Sequence, residues 1–328
     1  YTGEDTLSLH DALPISAARS GSRSAARSRS ACTPSGTRSR GPRSFVWSED
    51  IKKDTRRVRD ALADVSDRVT IEKGKVILLG EHAVVYGVPA LCGALQGGVE
   101  IEAISGEGRL LVPEWDVATP PLRDLLLPSH ADTLSSLALA MKAIVESLSV
   151  AIGRPLVPQD LPYDFVARFA IPTGAGLGSS AALSVALVRA IDRAAELGLS
   201  ESDVDGAAFA AEKVFHGSPS GLDHTVAQRG GFGLFRRGHG LSPLPDTPTL
   251  RLCIGHTGKA RDTKGRVARV AELCQEKPDL TAACFARIGV LVGEAVEALR
   301  RRDFVALGQA MNENQALLKL LEVSCPEI

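Results

Sequence analysis

The sequence predicts an α+β protein of two domains, on three observations. Val69 to Ile104 is rich in strand-forming runs, Ile171 to Leu187 reads as a glycine-rich loop opening a helix, and from Thr249 a strand restarts and gives way to helices. A Pro-rich piece, Ser242 to Pro248, lies between the two patterns, so a larger domain over 69–245 and a smaller one over 246–328 are expected.

Composition narrows the class. The 328 residues, 44% of them hydrophobic, have a mean hydropathy of +0.04, which suits a globular core. No apolar run reaches membrane-spanning length, so no membrane partner is expected. A formal net charge of −1 gives no general electrostatic case for nucleic acid, which leaves a small molecule as the expected partner. Six cysteines, at 32, 92, 253, 274, 284 and 325, form no C-x-x-C pair; reduced thiols in the cytoplasm are expected rather than a disulfide frame or a zinc site.

Residues 1–44 stand apart. From Arg19 to Arg43 there are seven arginines, many serines and no acid, too little apolar surface to offset the entropy of ordering. The composition resembles a transit peptide without its amphipathic face, and Asp5 to Ile15 resembles translated adapter sequence. A disordered, non-native leader is the expectation, with a nucleic-acid arm as the other reading. Residues 45–68 read as a charged connector.

Val69 to Leu79 reads as a strand, broken by Gly80-Glu81-His82. Val84 to Leu95 is a second apolar stretch with a turn at Gly87 and Pro89, and Gly97 to Ile104 supplies a further strand. Apolar residues at 134, 137, 138, 141, 144, 145 and 148 give helical spacing over Asp132 to Ile152, stopped by Gly153 and Pro155. Asp164 to Ile171 is a strand feeding the glycine loop. Ser200 with Asp203 forms a capping box for a helix to about Phe215, a tight turn spans His216 to Asp223, and Gly230 to Phe235 reads as a hairpin strand.

The loop Pro172-Thr-Gly-Ala-Gly-Leu-Gly-Ser-Ser180 puts glycines at 174, 176 and 178 and exposed hydroxyls, Ser179 and Ser180, at a helix start. Such a start binds anions, although glycine loops also serve to pack a helix close to a strand. It has neither the lysine of a Walker loop nor dinucleotide spacing, so positive charge must come from elsewhere. Lys75 is a candidate; a solvated strand-edge lysine is the plainer reading. Glu212 and Asp223 flank the turn and could serve as metal ligand and general base, or be two surface acids, Asp223 then capping the segment from His224. Phosphoryl transfer asks for these parts: placement, a cation against phosphate charge, and a group to take the hydroxyl proton. A serine hydroxyl and a carboxylate are hard oxygen donors suited to Mg2+.

Three segments carry a resemblance. Gly74-Lys-Val-Ile-Leu-Leu-Gly-Glu-His-Ala-Val-Val-Tyr-Gly87, Pro172-Thr-Gly-Ala-Gly-Leu-Gly-Ser-Ser-Ala-Ala182, and Glu212-Lys-Val-Phe-His-Gly-Ser-Pro-Ser-Gly-Leu-Asp223 followed by Gly230-Gly231 resemble the motifs of the GHMP small-molecule kinases. The resemblance spans about 69–328. It implies the two-domain GHMP kinase fold, with a ribosomal protein S5 domain 2-like N-terminal domain, and ATP-dependent phosphorylation of an alcohol.

Carried over residue by residue, it makes Asp223 the base and Lys75 its neighbour. Pro172, Gly174, Ala175, Gly176, Leu177, Gly178, Ser179 and Ser180 hold the ATP phosphates, and Ser180 with Glu212 holds Mg2+. Glu81, His82 and Thr257 face substrate; a hydrogen-bonded turn residue is the plain reading of His82, a turn cap that of Glu81. The family's third, glycine-rich motif near the C-terminus is not in the sequence, so a truncated, incomplete second domain is expected. A homodimer, a related kinase for a phosphorylated or sugar substrate, and a nucleotide-binding protein without turnover remain open at this level.

Overall fold

The structure, a computed structural model, describes residues 69–127, 134–255 and 263–324; the expected leader and connector lie outside them. Strand β1 (Val69–Leu79) runs antiparallel along one edge of the 16-residue strand β2 (Ala90–Ser105). The short strands β3 (Leu110–Val112) and β4 (Val117–Ala118) follow, then β5 (Tyr163–Phe169), β6 (Phe232–Arg236) and β7 (Gly240–Pro243). On its other edge β2 pairs β5 along its second half and β6 along its first, so one long strand joins both parts of a seven-stranded sheet. β3 lies parallel to β5, and β7 closes a hairpin on β6.

The expected pair of elements over 84–104 is corrected. Ala83–Tyr86 is a single 3-10 turn, and Gly97 does not begin a new strand but lies inside β2. Between the pairs Lys73↔Gly98 and Lys75↔Ala94, β1 advances two residues while β2 retreats four. The two extra residues bulge out of β2, and glycine makes this possible, because a Cβ on Gly98 would stand 1.8 Å from the Glu72 carbonyl oxygen.

Helices α1 (Leu122–Leu125), α2 (Ser136–Ala151), α3 (Ser179–Ala195), α4 (Glu201–His216) and α5 (Leu222–Arg229) come before or between these strands; α6 (Thr263–Glu276), α7 (Pro278–Arg301) and α8 (Phe304–Leu320) follow them. Leu137, Met141, Ile144 and Leu148 of α2, at the spacing read from sequence, join Phe165, Ala186 and Ala208 in one core. A second core sets Ile288, Leu291 and Ala295 of α7 and Leu307 of α8 against Leu78, Leu79 and Leu91 of the sheet. A third, smaller one fixes α5 through Leu222 and Val226 to Ala90, Cys92 and Phe235.

The strand expected from Thr249 is not formed over the described residues 249–255. Leu250 and Leu252 do turn inward alternately onto the second core, with a strand's period of two, but the backbone there joins no ladder. The capping box of α4 is present in full: Ser200 Oγ accepts from the Asp203 amide at 3.2 Å and the Asp203 carboxylate accepts from the Ser200 amide at 2.9 Å. Ser200→Ala is expected to cost about 1 kcal/mol, read as a shift in urea midpoint at unchanged slope.

Glu72 of β1 is nearly buried, 2.8 Å from Arg189 of α3. Burial pushes its carboxyl up to about 7, and Arg189 only partly opposes this. A carboxyl raised in the fold keeps a proton that the unfolded chain releases above its ordinary value of 4.5. Its contribution is therefore present at low pH and is lost as pH rises toward 7. Glu72→Gln should gain on the parent protein in paired thermal melts from pH 5 to 7; a constant difference would refute this.

Candidate active site

Gly74 of β1 lies under the glycine loop. A Cβ there would stand 2.8 Å from the Leu177 carbonyl oxygen and 2.7 Å from Ile171 Cδ1, so only glycine lets the loop settle on the strand. The next amide, that of Lys75, donates to Leu177 O at 2.8 Å. Gly174, Gly176 and Gly178 all have positive φ, 71°, 77° and 72°, which makes their missing side chains a backbone requirement. Gly178 then caps α3, whose first amides have no partner within the helix and open an anion site.

Ser179 and Ser180 are not exposed, as expected from sequence, but 6% and 7% accessible, because α3 is sunk between the sheet and α4. Ser180 Oγ lies 3.0 Å from His216 Nε2.

Lys75 is likewise no edge lysine in solvent. It is 5% accessible, and its Nζ lies 3.0 Å from Asp223 Oδ1. Asp223 sits in the first turn of α5; the cap is Gly221 in the left-handed region, so the reading of Asp223 as a cap is corrected. Its carboxylate is spent on the lysine instead.

Glu212, on α4, is 1% accessible. Burial pushes its carboxyl up to about 8, the charge of Asp223 adds to this, and Ser180 and Lys75 pull the other way more weakly. Its Oε1 has no hydrogen-bond partner, and Oε2 lies 3.7 Å from His216 Nε2. Among the described residues no three His, Cys, Asp or Glu side chains form a metal cluster. A buried orphan carboxylate oxygen near a serine hydroxyl does fit an ion such as Mg2+ that keeps waters and phosphate oxygens as its remaining ligands.

Lys75, Ser180, Glu212 and Asp223, read from sequence as one set, are thus brought together. Sequence reasoning passed over His216, although it lies one turn beyond Glu212 on the same helix face, a signal legible at i, i+4. Burial lowers its imidazole below the ordinary range, which favours the neutral ring beside Ser180. Asn314 of α8 was also missed, and nothing local in the sequence marks it. It is 2% accessible, and its Nδ2 donates to Glu81 Oε2 at 3.0 Å.

His82 has φ 61° and ψ −47°, a costly conformation for a non-glycine residue, at the head of the 3-10 turn. Thr257 lies outside the described residues. Beside the loop an open cavity of about 350 Å³ is lined by Pro172, Ala175 and Leu177, by Leu95 and Gln96 from the β2 bulge, and by Ile254. It has the size of a small-ligand pocket and a mainly apolar wall.

The family model of the GHMP kinases N terminal domain matches residues 138–231, which carry the loop, Glu212 and Asp223. Mevalonate kinase of Pyrococcus horikoshii is 32% identical over 270 residues, 77% of each chain. Among solved structures, L. major mevalonate kinase in complex with R-mevalonate has TM-score 0.61 at 28% identity over 80% of both chains. Methanococcus jannaschii mevalonate kinase shares the fold at TM-score 0.64 and 19% identity, over 80% of this chain and 82% of that one. The chain belongs to the GHMP kinases, ATP-dependent kinases of small molecules, and the relatives named above are mevalonate kinases.

Proposed function

We propose that the chain transfers the γ-phosphoryl group of ATP to the primary hydroxyl of mevalonate, giving 5-phosphomevalonate and ADP, a step toward isoprenoid precursors. The observation that carries this reading is the Lys75–Asp223 pair at 3.0 Å, within electrostatic reach of the buried Glu212 and next to the glycine loop. Asp223 takes the proton of the attacking hydroxyl as the new O–P bond forms, and the broken O–P bond leaves its electron pair on ADP. Lys75 stands against the charge growing on the alcohol oxygen. The loop residues 172 and 174–180, with the first amides of α3, hold the phosphates, and the cavity beside them suits the base.

Ser180 and Glu212 would hold Mg2+. That ion offsets negative charge on the transferring phosphoryl group. Glu81, His82 and Thr257 are assigned to the substrate side, with Asn314 holding Glu81 in place. The proposal extends to the cytoplasm, which the unpaired cysteines 92, 253, 274 and 284 suit; no described helix is long and apolar enough to cross a membrane. It also extends to a homodimer, for which light scattering would return twice the 34.6 kDa chain mass. The domain limits 69–245 and 246–328 belong to the same reading.

A coupled assay of ADP release with mevalonate, phosphomevalonate or galactose as acceptor tests the substrate. Turnover with mevalonate is expected. Turnover with another acceptor alone would refute the substrate, and nucleotide binding without any turnover would refute catalysis.

A further inference from the structure

Four side chains outside the candidate site tie together the four elements that carry it. β1 bears Lys75, α3 Ser180, α4 Glu212 and α5 Asp223. Gln228, near the end of α5, donates through Nε2 to Oε2 of Glu201 at 2.7 Å and to its backbone oxygen at 2.8 Å; Glu201 is the first residue of α4. The same carboxylate oxygen accepts from Nη2 of Arg189 on α3 at 3.0 Å. Nε of Arg189 lies 2.8 Å from Oε1 of Glu72 on β1, an ion pair without hydrogen-bond alignment. Arg193, one turn further along α3, donates to Val69 O at 2.7 Å and ties the start of β1 to the same helix.

The spacing puts these contacts at the ends of the elements away from the chemistry. Arg189 is about 14 Å along α3 from Ser180 and Glu201 about 16 Å along α4 from Glu212, at the helical rise per residue. Glu72 precedes Lys75 by about 10 Å of strand. The buried faces of α3 and α4 mix alanines such as Ala182, Ala186, Ala207 and Ala211 with Leu183, Ile191, Val204 and Phe215. Apolar attraction is non-directional, whereas hydrogen bonds have direction and fix a register. The Arg189–Glu201 pair, with Glu201 70% exposed in its side chain, contributes little to stability, whereas the Arg189–Glu72 pair is nearly buried. Their effect is on placement.

We propose that Glu72, Arg189, Glu201 and Gln228 form a brace that sets the mutual spacing of Lys75, Ser180, Glu212 and Asp223, and are positioning residues for phosphoryl transfer. The proposal rests on the kinase reading above. Because misplacement by about 1 Å costs up to a hundredfold in rate, a partial loss of the brace should lower kcat about tenfold.

The variants are Gln228→Leu and Arg189→Met, with Arg189→Lys as the conservative change. Expected are a tenfold lower kcat for the first two, KM values close to the parent, a melting temperature close to the parent for Gln228→Leu, and partial recovery with lysine. A second readout needs no turnover. The 15N ammonium resonance of Lys75, assigned by its loss in Lys75→Met and protected by Asp223, should shift or weaken in Gln228→Leu and Arg189→Met. An unchanged Lys75 resonance would overturn the brace, as would an unchanged kcat in an active parent protein. A shifted resonance in a parent that turns over no acceptor would support the brace and refute the kinase reading instead.

Discussion

Asp223→Asn is expected to lower kcat about a thousandfold while nucleotide affinity stays within a few-fold of the parent, because the asparagine cannot accept the hydroxyl proton. The amide oxygen still accepts from Lys75, whose ammonium is buried at 5% accessibility, so the fold should persist. Asp223→Ala removes that partner as well and leaves a buried charge unpaired, with a further stability cost of about 3 kcal/mol. Single-turnover kinetics with a nucleotide-binding titration separate the two effects. Lost nucleotide binding in a folded Asp223→Asn protein would argue that the carboxylate serves the nucleotide site and not the acceptor.

Gly98→Ala is expected to have the largest effect on folding. The added Cβ would fall 1.8 Å from Glu72 O and 2.7 Å from the Lys73 Cα, backbone atoms that cannot rotate away. The β1–β2 ladder must part at the bulge, at about 3 kcal/mol or more, equivalent to roughly 5 °C or more in melting temperature for a chain of this size. Gly153→Ala is a useful comparison, since φ is positive there, 71°, and nothing lies within 4 Å, so it reads the cost of backbone conformation alone. A loss at Gly98 no larger than that at Gly153 would show that the close approach of β1 costs no more than backbone strain.

Much of the frame was legible because its signals are local. Strand β1 matched its apolar run residue for residue, and the Ser200–Asp203 box fixed the start of α4. The failures share a cause in distance. Gly97 looks like the start of a separate strand until Glu72 is seen 26 residues before Gly98 on the paired strand. Thr249 to Gly255 keeps strand periodicity, yet pairing depends on a neighbouring backbone that a local pattern does not reveal.

Lys75, Ser180, Glu212 and Asp223 were named from residue chemistry and motif resemblance, whereas their burial was misjudged for the serines. Burial depends on where α4 packs, as does the partnership of Ser180 with His216. Asn314 could not be found at all from sequence, since its partner Glu81 lies 233 positions away.

The hydrogen bond from the Lys75 amide to Leu177 O has a consequence for coupling. The loop proposed to hold phosphate and the strand that carries Lys75 share one backbone link, so a shift of one is felt by the other. On the proposed reading, nucleotide in the loop should therefore bear on the placement of Lys75. Chemical labelling of Lys75 should slow when nucleotide occupies the loop, even though the lysine points toward Asp223 and the second substrate.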